Sequence, residues 1–379
     1  MTNDTSKRTV SIALPATPVN LYKEIGEMFL DALSDSKYSA TIVQDGDRSA
    51  LDSELLLLVG DCQAFQEYPA LLAENKYNRP ITIFWLLDTL PPVSFTPKAA
   101  EIGSRLGLYN KSLKFARTNF KPLISTIPIG LRRKLGVAAC ATLMAGLDEE
   151  LESTSQSELK DLDTTSRYEL LGRYEWMRTN HAEGWIDHMI ANTRSKIDFL
   201  HKMDIPASFI PFGYHKSMGQ DMGLERDIDV LFLGELAYGR RKPIVEHVRD
   251  SLKERGIELT IESGNCYGDR RNELLSRAKI SLNVPRFNWD IPTIRLFMSI
   301  GCGSLVVSEH AGDSTPFVSG EHFVQAPAQD LPDIIEHYVR SDEDRNRVTS
   351  NARDLVFNQL TLQRALISVL NMPNIRKNF

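Results

Sequence analysis

Apolar positions along the chain switch repeatedly between two periods. "TVSIAL" at 9–14 reads as a buried strand, and "VNLYKEIGEMFLDALSD" after it places Leu21, Ile25, Met28, Phe29 and Ala32 on one helical face. The alternation continues with "YSATIV" as a strand, "SELLLLVGDC" as a strongly apolar buried strand, and "FQEYPALLAEN" as a helix. "RPITIFWLLDTLPP" is then a strand that ends at Asp88 and a Pro-Pro turn. From about 96 to 185 the strand signal gives way to helical periodicity. "HMIANT", "RSKIDFLHKM" and "ASFIPFGYH" resume the strand, helix, strand order. A second series opens at "ERDIDVLFLGEL" and runs through a helix "RKPIVEHVRDSLKERG", a strand "IELTIES", a loop "GNCYGDRR", a helix "ELLSRA" and a strand "KISLNVP".

Strands alternating with helices predict parallel sheets covered on both faces. The chain therefore reads as α/β, with two Rossmann-like domains facing across a cleft. The first domain spans 1–213 and carries a helical insertion at about 96–185, and the second spans 214–360. A last helix within 361–379 is expected to pack back on the first domain. In folds of this kind the ligand crevice lies at the carboxyl ends of the strands.

Charge narrows the partners. A net charge of −6 over 379 residues argues against general nucleic-acid binding, which needs a basic domain. Cys62, Cys140, Cys266 and Cys302 lie far apart, suggesting neither a disulfide framework nor a zinc knuckle. The apolar run before Pro15 is too short for a signal peptide, and "LGVAACATLMAGL" falls short of the roughly 20 residues of a bilayer span. A cytoplasmic location is expected. Residues 102–147 hold eight Lys or Arg and no acid, whereas 148–163 hold seven acids and one Lys. The two runs suit a helical hairpin with an acidic linker. The basic stretch 105–134, interleaved with Leu, Ile, Phe and Tyr, also suits an anionic membrane surface, which would make the protein peripheral on the cytoplasmic face.

Candidate chemistry concentrates in the second half. A strand ends at Gly234, and Arg240, Arg241 and Lys242 follow at a helix start, a combination suited to a phosphate or diphosphate. In "ISLNVPRFNWDIPTIRLFMSIGCGSLVVSE" Arg295 sits in the first turn of a helix, at the positive end of its dipole, where a cation is unfavourable unless an anion faces it. Tyr267 offers a flat surface for a base, and Asn283, Asn288 and Thr293 offer short polar groups for sugar hydroxyls or phosphate oxygens. Each of these residues taken singly also suits a turn. The Asp-x-Asp pairs are weak signals in an acidic chain, and the scattered histidines form no metal-ligand cluster.

In order, "RDIDVLFLGELAYGRRKP", "YGDRRNELLSRAKISLNVPR" and "PTIRLFMSIGCGSLVVSE" resemble the C-terminal half of GT-B glycosyltransferases, in the group 1 branch related to spore maturation proteins. "IANTRSKIDFLHKMDIPASFIPFGYH" resembles the segment that closes their N-terminal domain, so the likeness covers about 185–360. The resemblance implies a metal-independent transferase with no cofactor, moving a sugar from a nucleotide diphosphate donor held by the second domain to an acceptor held by the first. On it, Gly234, Arg240, Arg241, Lys242 and Arg295 grip the diphosphate. Asp88, ending a first-domain strand at the crevice, is the expected general base. Many related enzymes carry a glutamate three residues after that arginine and an acid seven residues earlier; here Met298 and Ile291 stand at those places. That departure keeps open an inactive sugar-binding or scaffold protein, and the same fold also admits a nucleotide-sugar epimerase or hydrolase.

Overall fold

A computed structural model describes residues 8–15, 20–34, 36–94, 164–236, 239–263 and 266–372. The basic stretch 105–134 and most of the helical insertion lie outside the described residues.

The first domain is built on six parallel strands: β1 Arg8–Leu14, β2 Tyr38–Gln44, β3 Leu55–Gly60, β4 Ile81–Leu86, β5 His188–Ala191 and β6 Ala207–Phe209. Their order is β2-β1-β3-β4-β5-β6. All six residues of β3 are buried, as a central strand covered on both faces requires. The helices are α1 Asn20–Leu33, α2 Tyr68–Glu74, α3 Thr164–Glu183 and α4 Arg194–Lys202. Ile25, Met28, Phe29, Ala32 and Leu33 form the stripe of α1 that faces the sheet. "ASFIPFGYH" yields only three strand residues, because Pro211 and Gly213 interrupt it.

The second domain has five parallel strands in the order β11-β10-β9-β7-β8. They are β7 Ile228–Leu233, β8 Leu259–Glu262, β9 Ala278–Asn283, β10 Leu305–Glu309 and β11 Val324–Ala326. Its helices are α5 Arg241–Glu254, α6 Gly268–Arg277, α7 Thr293–Gly301, α8 Leu331–Arg340, α9 Asp342–Asn358 and α10 Leu362–Leu370. Helix α6 begins at Gly268, earlier than the apolar pattern suggests, so Asp269, Arg270 and Arg271 belong to its first turn rather than to a loop. Helix α10 packs against α1. Tyr214, in the connection between domains, exchanges backbone hydrogen bonds with Leu360 and Leu362.

The two halves share apolar interior. One buried cluster runs from Phe29, Trp85 and Phe212 to Ile291, Leu296, Phe297 and Phe317. Another takes Phe287 and Trp289, from the loop after β9, into the first domain beside Leu86, Leu90 and Ile197. The Trp289 indole N–H donates to the Leu90 carbonyl at 2.9 Å. Burying large aromatic rings in this way ties the facing surfaces of the crevice into a fixed geometry.

Candidate functional site

A crevice of about 450 Å³ opens at the carboxyl ends of both sheets. Leu21 and Asp88 line it from the first domain, and Gly234, Tyr267, Asn283, Arg295 and Met298 are among the residues that line it from the second.

Arg295 sits in the first turn of α7, and its Nη1 donates to the Leu233 carbonyl at 2.8 Å. Gly234, with φ +153°, continues from β7 directly beside it. A Cβ there would lie 3.0 Å from Nη2 of Arg295, so the absent side chain lets the guanidinium lie against the strand end. Among the described residues no carboxylate forms an ion pair with Arg295, and burial pulls its pKa below the usual arginine range. A cation sunk in a crevice wall without a counter-charge is the electrostatic complement of an anionic ligand.

Asn283 ends β9. Its amide donates to Ser308 Oγ at 2.9 Å, while its Oδ1 is buried on the crevice wall without a hydrogen-bond partner. Tyr267 precedes α6 on the same wall. Glu24 of α1 reaches across to this region, accepting from the Gly268 N–H at 3.1 Å and pairing with Arg271 Nη1 at 2.8 Å.

The other expected phosphate-loop residues are elsewhere. Arg240 makes a two-pronged ion pair with the buried Glu309 and donates to the Pro285 carbonyl at 3.0 Å. Arg241 is buried, its Nε donating to the Val284 carbonyl at 2.9 Å. Lys242 is exposed, with Glu246 at 4.0 Å. The three adjacent cations therefore point apart, since successive helical positions are about 100° from one another. Two of them staple the loop after β9 to the start of α5. Asn288 is exposed on that loop and does not line the crevice. Thr293 is buried at the first position of α7, where its hydroxyl accepts from Asn192 Nδ2 of the first domain at 3.0 Å.

Asp88 belongs to a charge cluster that sequence reasoning did not anticipate. β3 and β4 pair with Gly60 opposite Leu86, so Asp61 and Asp88 leave neighbouring strand ends. Arg173 of α3, 5% exposed, lies between them: its Nη2 is 3.0 Å from Asp61 and 3.6 Å from Asp88. The Tyr22 hydroxyl donates to Asp88 Oδ2 at 2.9 Å. Burial, and then the charge of Asp61, push Asp88 above the usual aspartate range, against the opposing pull of Arg173 and Tyr22. Burial alone would lower Arg173, but Asp61 and Asp88 more than offset it.

Next to this cluster is a buried interdomain network. Asp290 accepts from Thr89 at 2.7 Å, Thr193 at 2.6 Å and Ser195 at 2.9 Å, and Lys196 Nζ lies 3.4 Å away. Lys196 also donates to the Leu87 carbonyl and to Asn192. Nothing in the spacing of these residues marks them. They meet only because β4, α4 and the loop after β9 converge. Among the described residues, no group of three or more His, Cys, Asp or Glu is placed to hold a metal ion.

Residues 234–371 match the model of a family described as glycosyl transferase-like. This stretch, which supplies most of the crevice lining, is similar to glycosyl transferase-like domains. Structures of Anabaena HepE, in complex with UDP-glucose and with UDP plus glucose, are each 10% identical to this chain at a TM-score of 0.52. They cover 96% of it, and the match spans 100% and 98% of their own chains. A third HepE structure, with UDP, matches at 9% identity and a TM-score of 0.51 over the same 96%. The chain thus shares the GT-B fold of those structures. No curated protein is similar to the chain in sequence.

Proposed function

We propose that the protein transfers a sugar from a nucleotide diphosphate donor to an acceptor bound on the first domain. The observation that carries this reading is Arg295: a half-buried cation with no acidic partner among the described residues, across one crevice from a half-buried carboxylate, Asp88. On this reading the diphosphate lies against Arg295 and the Gly234 strand end. The guanidinium offsets charge that grows on the leaving phosphate, an electrostatic contribution already in place before reaction. Tyr267 and Asn283 line the donor side, the latter with a free acceptor oxygen for a ligand donor group. Asp88 takes the acceptor hydroxyl's proton as the new glycosidic bond forms. A UDP-hexose is the first donor to test, since HepE, whose fold spans this chain, was captured with UDP-glucose. Membership of the spore-maturation-related branch rests on the ordered motifs between about 185 and 360.

The charge on Arg295 takes the role that a metal ion plays at other diphosphates, so the reaction is proposed to run without metal or cofactor, and chelator should leave turnover intact. A membrane-bound acceptor is proposed from the basic stretch 105–134. Sedimentation with phosphatidylglycerol vesicles, losing protein from the pellet as salt rises and on Arg132→Ser, Arg133→Ser and Lys134→Ser, would support it; protein that stays in the supernatant at low salt points to a soluble acceptor. No described helix is long and apolar enough to cross a membrane.

Calorimetric titration with UDP and UDP-glucose, followed by assay for released UDP, tests the main reading. Arg295→Ala should weaken both ligands by about 10- to 100-fold while leaving uridine little changed, the loss of a charge-assisted hydrogen bond. Equal affinities in wild type and variant would reject the diphosphate site. Met298 and the buried Ile291, at positions where related enzymes place acids, favour one second reading: donor binding without transfer. Saturable UDP-glucose binding with no UDP released under any acceptor mixture would select it.

A further inference from the structure

Asp88 is the crevice-facing member of a unit whose remaining members lie behind the wall. Tyr22, from α1, donates to Asp88 Oδ2 at 2.9 Å and accepts from the Asp61 N–H at 3.2 Å, bridging two strand ends through a single oxygen. Its ring fits because residue 60 is glycine at φ +137°; a Cβ there would come within 2.9 Å of the Tyr22 ring. Arg173 is committed elsewhere. Its Nε and Nη2 hold both oxygens of Asp61 at 3.3 and 3.0 Å, and its Nη1 donates to the Thr89 carbonyl at 2.9 Å. Asp88 stands at the longer distance of 3.6 Å.

Among the described residues, the count of charges leaves one negative unit over. Two aspartates face one guanidinium, and the closer, doubly bonded partner is Asp61. Glu169, 3.8 Å from Arg173, is drawn off by Arg286 of the second domain at 2.7 Å. Lys196, a further cation whose charge acts on Asp88, is occupied by Asn192 at 2.7 Å, the Leu87 carbonyl at 2.8 Å and Asp290 at 3.4 Å. The surplus charge therefore falls on the carboxylate that lines the crevice.

We infer that Tyr22, Asp61 and Arg173 are positioning residues for Asp88: Tyr22 fixes the rotation of its carboxylate, and Asp61 engages Arg173 so that Asp88 keeps an uncompensated charge facing the acceptor. The inference rests on the reading of Asp88 as the acceptor base, and it explains how a surface-near aspartate gains base strength. Burial and the Asp61 charge raise its affinity for a proton, while Arg173, the Tyr22 hydrogen bond and Lys196 limit the rise.

The test is a ¹³C NMR titration of the aspartate carboxyl groups in the full chain, with Asp88→Asn identifying the signal. Asp61→Asn should move the Asp88 midpoint down, since a negative neighbour is removed and Arg173 is released toward Asp88. Tyr22→Phe should move it up, since a hydrogen bond to the charged form is lost. UDP release from UDP-glucose, with water as acceptor, should show its acidic limb displaced in the same two directions. Tyr22→Phe should lower kcat about tenfold with KM unchanged, the effect of losing one hydrogen bond to a charged group. A midpoint unmoved by Asp61→Asn, or moved in the same direction by both variants, overturns the inference, with unchanged folding of Tyr22→Phe checked by circular dichroism. Midpoints that shift as expected while the acidic limb stays put keep the positioning unit and overturn Asp88 as base.

Discussion

Arg295 and Arg240 are both cations of the second domain within reach of a β-strand end, yet their surroundings give them opposite roles. Arg240 has Glu309 and the Pro285 carbonyl; Arg295 has one carbonyl and a crevice. Replacing Arg295 by Met removes a desolvated charge that no described carboxylate offsets, so the thermal midpoint should rise while UDP binding falls. Replacing Arg240 by Met leaves Glu309 buried and unpaired. That change should cost about 3 kcal/mol in denaturant unfolding and leave UDP affinity within about twofold. Asp88 provides a second residue-scale test. Its folded pKa is raised, so between the ordinary aspartate value and the raised one the folded state holds a proton that the unfolded chain has released. Its contribution to stability therefore falls as pH rises through that window. Asp88→Asn should raise the thermal midpoint at neutral pH and leave it unchanged below the ordinary aspartate range. At this scale the sequence marked Arg295 as a candidate anion contact, because helix position alone places it at the positive end of a dipole. The fate of Arg240 was hidden, because its partner lies 69 positions away.

The loop between β9 and α7 shows the same limit at the scale of an element. Its residues "VPRFNWDIP" read as turn chemistry with polar groups for a ligand. In the fold, Phe287 and Trp289 pack with their rings tilted by 41° and 5.1 Å between centroids and enter the first domain's interior, while Asp290 collects three hydroxyl donors there. The loop is an interdomain anchor that carries α7, and so Arg295, into place. Trp289→Ala should cost about 3–5 kcal/mol in denaturant unfolding, from the lost apolar area and the cavity left behind. It should also weaken UDP binding although Trp289 does not line the crevice. Unchanged stability would show that the ring has no fixed seat. The strands and helices themselves were legible, since period and apolar runs are local properties. Short β6 and the early start of α6 were not, because a three-residue strand and a polar first turn leave too little pattern.

At the scale of the molecule, an apolar interior continuous from Trp85 to Phe317 joins what the chain order suggests are separate units. Differential scanning calorimetry should therefore give one cooperative transition, with calorimetric and van't Hoff enthalpies equal, rather than two. Two resolved transitions would show that the domains fold independently. The sequence by itself determined the alternating strand and helix order, hence parallel sheets and a crevice at their carboxyl ends, because periodicity is written in neighbouring residues. It also marked Arg295, Gly234 and Asp88 as crevice residues, because each follows directly from a strand or helix end. Only the tertiary structure decided which cations are neutralised, where Tyr22, Asp61 and Arg173 meet, and how Trp289 locks the two halves. Those outcomes depend on distances between residues far apart in the chain, which no local pattern records.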